Sequence, residues 1–131
     1  MKKTLLILFS LLISFCATAQ SSQRQKMIHM AAVRIAEQIE VPEQNREAFI
    51  TLYQKYKGES SEIVKVRPRD GEDPEKTVEL KILDDFEKSR KILSLREAYY
   101  FKFREVLTPS QIQKMYDLER VAKDAPPRQK Q

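Results

Sequence analysis

Few side chains in this sequence could carry metal chemistry. His29 is the single histidine, and Met27 and Met30 lie close to it. A tight zinc site usually takes about four ligands from cysteine, histidine and carboxylate side chains. Methionines at helical spacing belong to a core more often than to a metal site. We therefore predict no metal and no cofactor, with His29 as a weak candidate ligand that would need a second copy of the chain.

Catalysis is less well supported still. A nucleophile needs a base within hydrogen-bond reach, and no serine lies in an elbow sequence that would present it to such a base. The acidic pair Asp84 and Asp85, next to Lys88, has the pattern of ordinary exposed helix charges. The sequence predicts a protein that is not an enzyme.

The first nineteen residues have the organisation of an export signal. Two lysines precede an apolar run over Leu5–Phe15, and Ala17–Ala19 offers small residues at the positions that a signal peptidase recognises. The run is about 11 residues long, too short for a membrane span of roughly 20. A lipid anchor on Cys16 is disfavoured by the bulky residue before it. We predict a signal peptide over 1–19, cleaved after Ala19, and no stable membrane anchor.

Cleavage there changes what the composition implies. The remaining chain has about 112 residues, enough for one domain, and loses the only cysteine. Removal of Lys2 and Lys3 lowers the formal net charge from +5 to +3. Such a mild excess, without a clustered basic face, argues against nucleic acid as a partner.

The segment Leu107–Gln111 predicts a sharp corner between two helices. Thr108 can cap the following helix, and Pro109 suits the first helical position because it has no N–H group to leave unpaired. Gln111 lies three residues after Thr108, where its side chain can complete a capping box. Leu107 can pack beneath the corner.

The same residues spell Leu-Thr-x-x-Gln, so the chain resembles the Spy/CpxP (LTXXQ) family of periplasmic proteins. Val41, Pro42 and Gln44 resemble a degenerate second copy in which valine replaces the capping threonine. The resemblance implies a small all-helical periplasmic protein, usually a homodimer, that binds unfolded clients or regulates an envelope stress pathway. It implies no reaction.

Hydrophobic spacing, capping residues and breaks divide the mature chain into four predicted helices. We expect an all-α domain over 20–122, built as an extended helical hairpin with a long third helix, and a disordered basic tail over 123–131. Gly58 is expected to lie within the second helix, and Asp73 to cap the third. The predicted helices are Met27–Glu40, Pro42–Val66, Pro74–Val106 and Pro109–Ala122.

The third helix carries more apolar surface than its neighbours can cover. At about 33 residues it is near 50 Å long. One stripe along it contains Ile82, Phe86, Leu93, Tyr100, Phe103 and Leu107. Because successive residues turn by about 100°, the rings of Tyr99, Tyr100, Phe101 and Phe103 cannot all face one interior.

These observations favour a chaperone that holds unfolded envelope proteins on an aromatic and basic surface without ATP. A regulatory adaptor that binds one stress sensor or anti-sigma factor is the alternative, and heavy-metal sensing through His29 is a third hypothesis. The candidate client-contact residues are Phe49, Tyr53, Tyr56, Tyr99 and Phe101, with Lys55, Lys57 and Arg104 around them.

Overall fold

The computed structural model describes residues 22–124, and within that range it contains helices and no strands. Helix α1 covers residues 22–38, α2 covers Glu43–Val64, α3 covers Pro74–Phe103 and α4 covers Pro109–Asp124. The predicted all-α class is confirmed. The signal peptide over 1–19 and the residues from 125 onward lie outside the described range. Lys123 and Asp124, predicted to belong to the tail, are instead the last residues of α4.

Helix α1 begins earlier than predicted, and a residue in the left-handed conformation ends it. The chain is already helical at residue 22, five residues before Met27. At its end Glu40 adopts a left-handed conformation with φ 59°, and the Val41 N–H donates to the Ala36 carbonyl over 2.9 Å. This is the hydrogen-bond pattern of a Schellman motif. Val41 is 2% exposed and anchors the turn by burial, although it cannot act as the side-chain cap that threonine would be.

Helix α2 runs through Gly58 without a break, as predicted, and ends at Val64. Pro42 occupies the N-cap position rather than the first helical position, and no side chain caps the helix there. The predicted end at Val66 is two residues too late, because Lys65 forms a turn and Val66 is no longer helical. The degenerate corner therefore lacks a side-chain cap on its following helix.

The loop between α2 and α3 is fastened along α3. Asp73 caps α3 by accepting from the Lys76 N–H over 2.8 Å, as predicted. The Gly71 N–H donates to the Thr77 hydroxyl over 3.0 Å. Further along, Asp84 accepts from the Arg69 backbone N–H at 2.9 Å, from Nε at 2.8 Å and from Nη2 at 2.6 Å. Asp84 is thus the anchor of the loop, not an ordinary exposed charge.

The Arg69 contact makes the loop anchor sensitive to acid. Arg69 holds the pKa of the Asp84 carboxyl below its usual value, chiefly through the side-chain hydrogen bond. Because the folded-state pKa lies below the unfolded one, the stabilisation is present at neutral pH and is lost as pH falls through the folded-state pKa. We expect Asp84→Asn to lower the melting temperature at pH 7, and this difference from the unsubstituted protein should shrink as the pH falls below the usual range of carboxyl groups.

The matched control for that experiment is Asp85→Asn, one residue further along α3. Asp85 makes no ion pair within residues 22–124. Its substitution should shift the melting temperature little at pH 7 or below. Equal shifts for the two variants at pH 7 would contradict the anchoring role of Asp84.

The core lies at one end of the molecule, where all four helices meet. Its largest fully buried side chains include Phe49 of α2, Phe103 of α3 and Met115 of α4. No residue between positions 57 and 98 is buried. Helix α3 has 30 residues, which corresponds to about 45 Å, so much of its N-terminal half lies beyond the core. The predicted long third helix is confirmed, although it ends at Phe103 rather than at Val106.

Candidate functional site

The helix corner at Thr108 forms as predicted and also links the start of α4 to the end of α1. The Gln111 N–H donates to the Thr108 hydroxyl over 3.2 Å, and the Thr108 N–H donates to Gln111 Oε1 over 2.9 Å. Gln111 Nε2 then donates to the carbonyls of Ile39 and Glu40, over 3.1 and 3.2 Å. The glutamine therefore pairs two carbonyl groups at the end of α1, a contact that sequence spacing did not reveal.

Neighbouring residues complete this corner. Leu107 is 4% exposed, which confirms that it packs beneath the turn. Arg104, a predicted client contact, donates from Nη1 to the Leu107 carbonyl over 3.0 Å. Asn45 of α2 donates to the Val106 carbonyl over 3.4 Å. Arg104 is exposed on the surface, but its guanidinium serves the corner, and this removes the main reason to assign it to a client surface.

Four of the five aromatic residues predicted to contact clients lie in the core. Phe49 is fully buried, and Tyr53, Tyr56 and Tyr99 are each 2% exposed. The prediction that they form a binding surface is wrong for this structure. The physical reason is that α1 and α4 close over the α2–α3 pair, so the rings pack together. The Tyr56 and Tyr99 centroids, for example, lie 5.4 Å apart.

The buried tyrosines keep hydrogen-bond partners at the edge of the core. The Tyr53 hydroxyl donates to Glu119 Oε1 over 2.8 Å, and the Tyr99 hydroxyl donates to Glu59 Oε1 over 2.7 Å. Burial is the main cause that raises the pKa of Tyr99 to about 12 and that of Tyr53 further still. Both hydroxyls therefore stay protonated at neutral pH and act as donors.

The two predicted lysines have different surroundings. Lys57 Nζ lies 3.6 Å from Glu119 Oε1, and that carboxylate side chain is only 11% exposed. Lys57 thus helps to dock α4 on α2. Lys55 is exposed and lines a shallow groove between α2 and the end of α3, together with Lys102, Glu47 and Glu105. Only Lys55 of the two remains a candidate for contacting another molecule.

The expectation that neighbouring rings on α3 face different directions is confirmed. Tyr99 and Phe103 are buried, whereas Tyr100 is 36% and Phe101 72% exposed. The exposed pair makes an edge-to-face contact with centroids 5.5 Å apart. Phe101 is the one predicted aromatic contact that the structure leaves accessible.

A larger accessible surface lies along α3, mostly on the part of the helix outside the core. Its members lie 4, 4, 7 and 7 residues apart, and this spacing places them on one face of a helix. Each is at least one-third exposed within residues 22–124. We call this set the exposed α3 stripe: Val78 (52%), Ile82 (48%), Phe86 (56%), Leu93 (59%) and Tyr100 (36%).

The periodicity of α3 had already indicated most of this stripe. The density of aromatic residues near Tyr99 nevertheless favoured those rings as contacts, because the sequence does not show the distance of each residue from the core. The structure separates the pattern into a buried part, at Phe103 and Leu107, and an exposed part from Val78 to Tyr100. The two parts lie on the same helix face, so the hydrophobic periodicity of the sequence does not show which part is buried.

His29 lies on the exposed side of α1, where its Nδ1 atom is 3.2 Å from Gln54 Nε2. The chain is helical from residue 22 onward, so His29 does not lie in the first turn of α1. No group of three or more histidine, cysteine or carboxylate residues converges within residues 22–124. Likewise, none of the helices described there is long and apolar enough to cross a membrane.

Comparisons of the chain with family models, with curated proteins and with solved structures gave no match. The class that the structure defines is a small all-α protein with a core at one end and an exposed apolar helix face beyond it.

Proposed function

We propose that this protein is an exported, ATP-independent chaperone that holds unfolded or misfolded envelope proteins in the periplasm. The observation that carries the proposal is the exposed α3 stripe. Exposed apolar side chains grouped on one face of a helix often mark interaction sites. The export signal predicted over 1–19 and the Leu-Thr-x-x-Gln corner support the compartment.

The surroundings of the stripe suit an unfolded client better than a single rigid partner. The stripe is narrow, lies on one helix and is flanked by exposed charges of both signs, including Lys81, Asp85 and Arg90. Apolar segments of an unfolded chain can contact Ile82, Phe86 and Leu93 in many registers, while flanking charges attract polar segments. Binding of this kind is weak and rapidly reversible, which allows release without ATP.

The experiment measures how well two variants, one double and one single, suppress the aggregation of an unfolded client. Phe86→Ser with Leu93→Ser removes two exposed apolar side chains from the stripe, and we expect client affinity to fall by about tenfold, equivalent to roughly 1.4 kcal/mol. Melting temperature should change little, because neither side chain belongs to the core.

The matched control is Val121→Ser, which removes a side chain that is 66% exposed on α4 and does not belong to the stripe. It should leave client affinity unchanged. Equal activity of the double variant and the control would reject the stripe as the client site. A pull-down from envelope extract distinguishes the chaperone from the regulatory adaptor. Recovery of many different clients supports a chaperone, whereas recovery of one stoichiometric partner supports an adaptor.

The homodimer implied by the family resemblance stays part of the proposal. A second copy could associate through the portion of α3 outside the core, where residues 74–98 include none that is buried. Sedimentation equilibrium should then give twice the chain mass at micromolar concentration. A single-chain mass at all accessible concentrations would reject the dimer without affecting the client test.

A further inference from the structure

We propose that the groove between α2 and the end of α3 binds a short peptide with free ends, in an extended conformation and in one orientation. The amino group of the peptide lies at the end of the groove lined by Glu47 and Glu105. Its carboxylate lies at the other end, lined by Lys55 and Lys102, and its apolar side chains contact the floor between them. This site is separate from the exposed α3 stripe and does not depend on the chaperone function.

The groove lies on the side of the α2–α3 pair that α4 leaves open. Lys57 contacts Glu119 of α4, whereas Lys55, two residues earlier, lines the groove. Two residues correspond to about 160° around a helix, so the groove and α4 lie on opposite sides of α2. Tyr100 of the stripe and Lys102 of the groove are also two residues apart, so these two surfaces face in nearly opposite directions from α3.

The floor of the groove is apolar and continuous with the core. Leu52 and Val106 are partly buried and pack against the core side chains, and Ala48 lines the same groove. The groove has a volume of about 770 Å³, within the range of about 300–1,000 Å³ that is usual for sites of small ligands. It therefore offers both room and an apolar surface to the side chains of a peptide.

The acidic residues of the groove lie at the end nearer to the helix corner. Asn45 of α2 donates to the Val106 carbonyl over 3.4 Å. Glu47 follows the first of these residues by two positions, and Glu105 directly precedes the second. Both glutamates therefore lie near the start of α2, and both are exposed.

The basic residues lie toward the other end. Lys102 Nζ is 4.6 Å from the centroid of the Tyr99 ring, and that ring lies 5.4 Å from the ring of Tyr56. The ammonium group of Lys102 is thus near the level of Tyr56, which directly follows Lys55 in α2. Lys55 and Lys102 are both exposed, so a ligand in the groove meets two positive charges at this end.

These charges are available to a ligand. Within residues 22–124, none of the four charged residues that line the groove forms an ion pair. The side chains of Gln44 and Thr51 also line it, and an amide and a hydroxyl can each donate to and accept from a peptide backbone. The groove therefore matches the backbone of a peptide as well as its charged ends.

The length of the groove sets the length of the peptide. Glu47 and Lys55 are eight residues apart on α2, which corresponds to about 12 Å. An extended chain rises about 3.3 Å per residue, so three to four residues span this distance. A peptide of that length has its amino group and its carboxylate at the two ends of the groove. An internal segment of a long chain lacks these charged ends and matches only the floor.

The charges also favour one orientation. In the reverse orientation the amino group of the peptide would meet the two lysines and its carboxylate the two glutamates. Like charges placed together in this way are unfavourable. The orientation with the amino group at Glu47 and Glu105 is therefore the one that binds.

The first test is a titration of the isotope-labelled protein with the tetrapeptide Ala-Leu-Leu-Ala, followed through amide chemical shifts. We expect shifts at Ala48, Leu52 and Lys55 and none at Ile82 or Phe86. The matched control is the same peptide with an acetylated amino end and an amidated carboxyl end. An exposed ion pair changes an equilibrium constant by up to about fivefold, so the blocked peptide should bind about tenfold more weakly.

Three results would overturn the proposal. The first is the absence of shifts at several millimolar peptide, and the second is a set of shifts at the stripe instead of the groove. The third is equal affinity for the free and the blocked peptide, because the groove would then bind internal segments of a longer chain.

The second test changes the protein. Lys55→Gln with Lys102→Gln should raise the dissociation constant of the free peptide at least fivefold and leave that of the blocked peptide unchanged. Lys81→Gln with Lys114→Gln removes the same charge from exposed positions outside the groove and should change neither value. Equal weakening by the two double variants would show that only net charge matters and would overturn the site. Melting curves confirm that each variant is folded.

The third test examines orientation and independence. A spin label on the first residue of the tetrapeptide should broaden the amide signal of Glu47 most, and a label on its last residue that of Lys55. Equal broadening at both positions by either label would overturn the single orientation. Phe86→Ser with Leu93→Ser should leave peptide binding unchanged, so failure of the chaperone function and failure of the peptide site are seen separately.

Discussion

We expect Phe49→Ala to lower the free energy of unfolding by about 3–5 kcal/mol, the usual cost of truncating a fully buried phenylalanine. Phe49 is 0% exposed, and its ring centroid lies 5.7 Å from that of Tyr53 and 6.0 Å from that of Phe103. Removing it leaves a cavity where α2 meets α3. Urea denaturation followed by circular dichroism measures the change, which is a large share of the stability of a domain this size.

The control for Phe49 is Phe101→Ala on α3. Phe101 is 72% exposed, so its truncation should change the free energy of unfolding by no more than about 0.5 kcal/mol. Client affinity provides a second measurement. Substitution of a core residue should lower the apparent client affinity only because a smaller fraction of the protein is folded. If Phe49→Ala kept full stability but lost client binding, the assignment of this ring to the core would be wrong.

Gln111→Ala should lower the free energy of unfolding by about 2–4 kcal/mol. The substitution removes one partner of the Thr108 capping box, a loss of about 1 kcal/mol. It also removes the donor to the carbonyls of Ile39 and Glu40, and a partly buried acceptor left without its partner costs about 1–3 kcal/mol. The effect should therefore exceed that of Thr108→Ala, which affects only the cap.

The matched control is Gln113→Ala, two residues further along α4. Gln113 is exposed and donates only to the Asp117 side chain, over 3.1 Å. Its substitution should cost no more than about 0.5 kcal/mol. Hydrogen exchange gives a second measurement: Gln111→Ala should accelerate exchange at the end of α1, near Val41, whereas Gln113→Ala should not. Equal effects of the two variants would contradict the joining role of Gln111.

The predicted helices that form here are those whose signals are local. Asp73 before Pro74 and Thr108 before Pro109 define helix starts through groups at most three residues away, and both caps form. The start of α1 was placed too late, because its first residues are polar and carry no hydrophobic periodicity. Helix α1 ends with Glu40 in a left-handed conformation. Glutamate rarely adopts this conformation, so the sequence does not predict it.

For the candidate site, too, the sequence predicted some features and left others undecided. The sequence contained the spacing of Ile82, Phe86 and Leu93 and showed that the rings from Tyr99 to Phe103 must face different directions. It could not show which of these residues the other helices cover. That depends on where α1 and α4 lie, and hence on contacts such as Glu119 with Tyr53, which are 66 residues apart in the chain.

The sequence by itself determined the helical class, the break between α2 and α3, and the capping box at Thr108, because each depends on neighbouring residues. Only the tertiary structure decided that Phe49, Tyr53, Tyr56 and Tyr99 are core and that the stripe from Val78 to Tyr100 is surface. The reason is that periodicity defines the faces of a helix, whereas burial depends on how far its neighbours extend. Helix α4 and the described part of α1 are shorter than α3, and the accessible apolar face lies mostly beyond the residues that they cover.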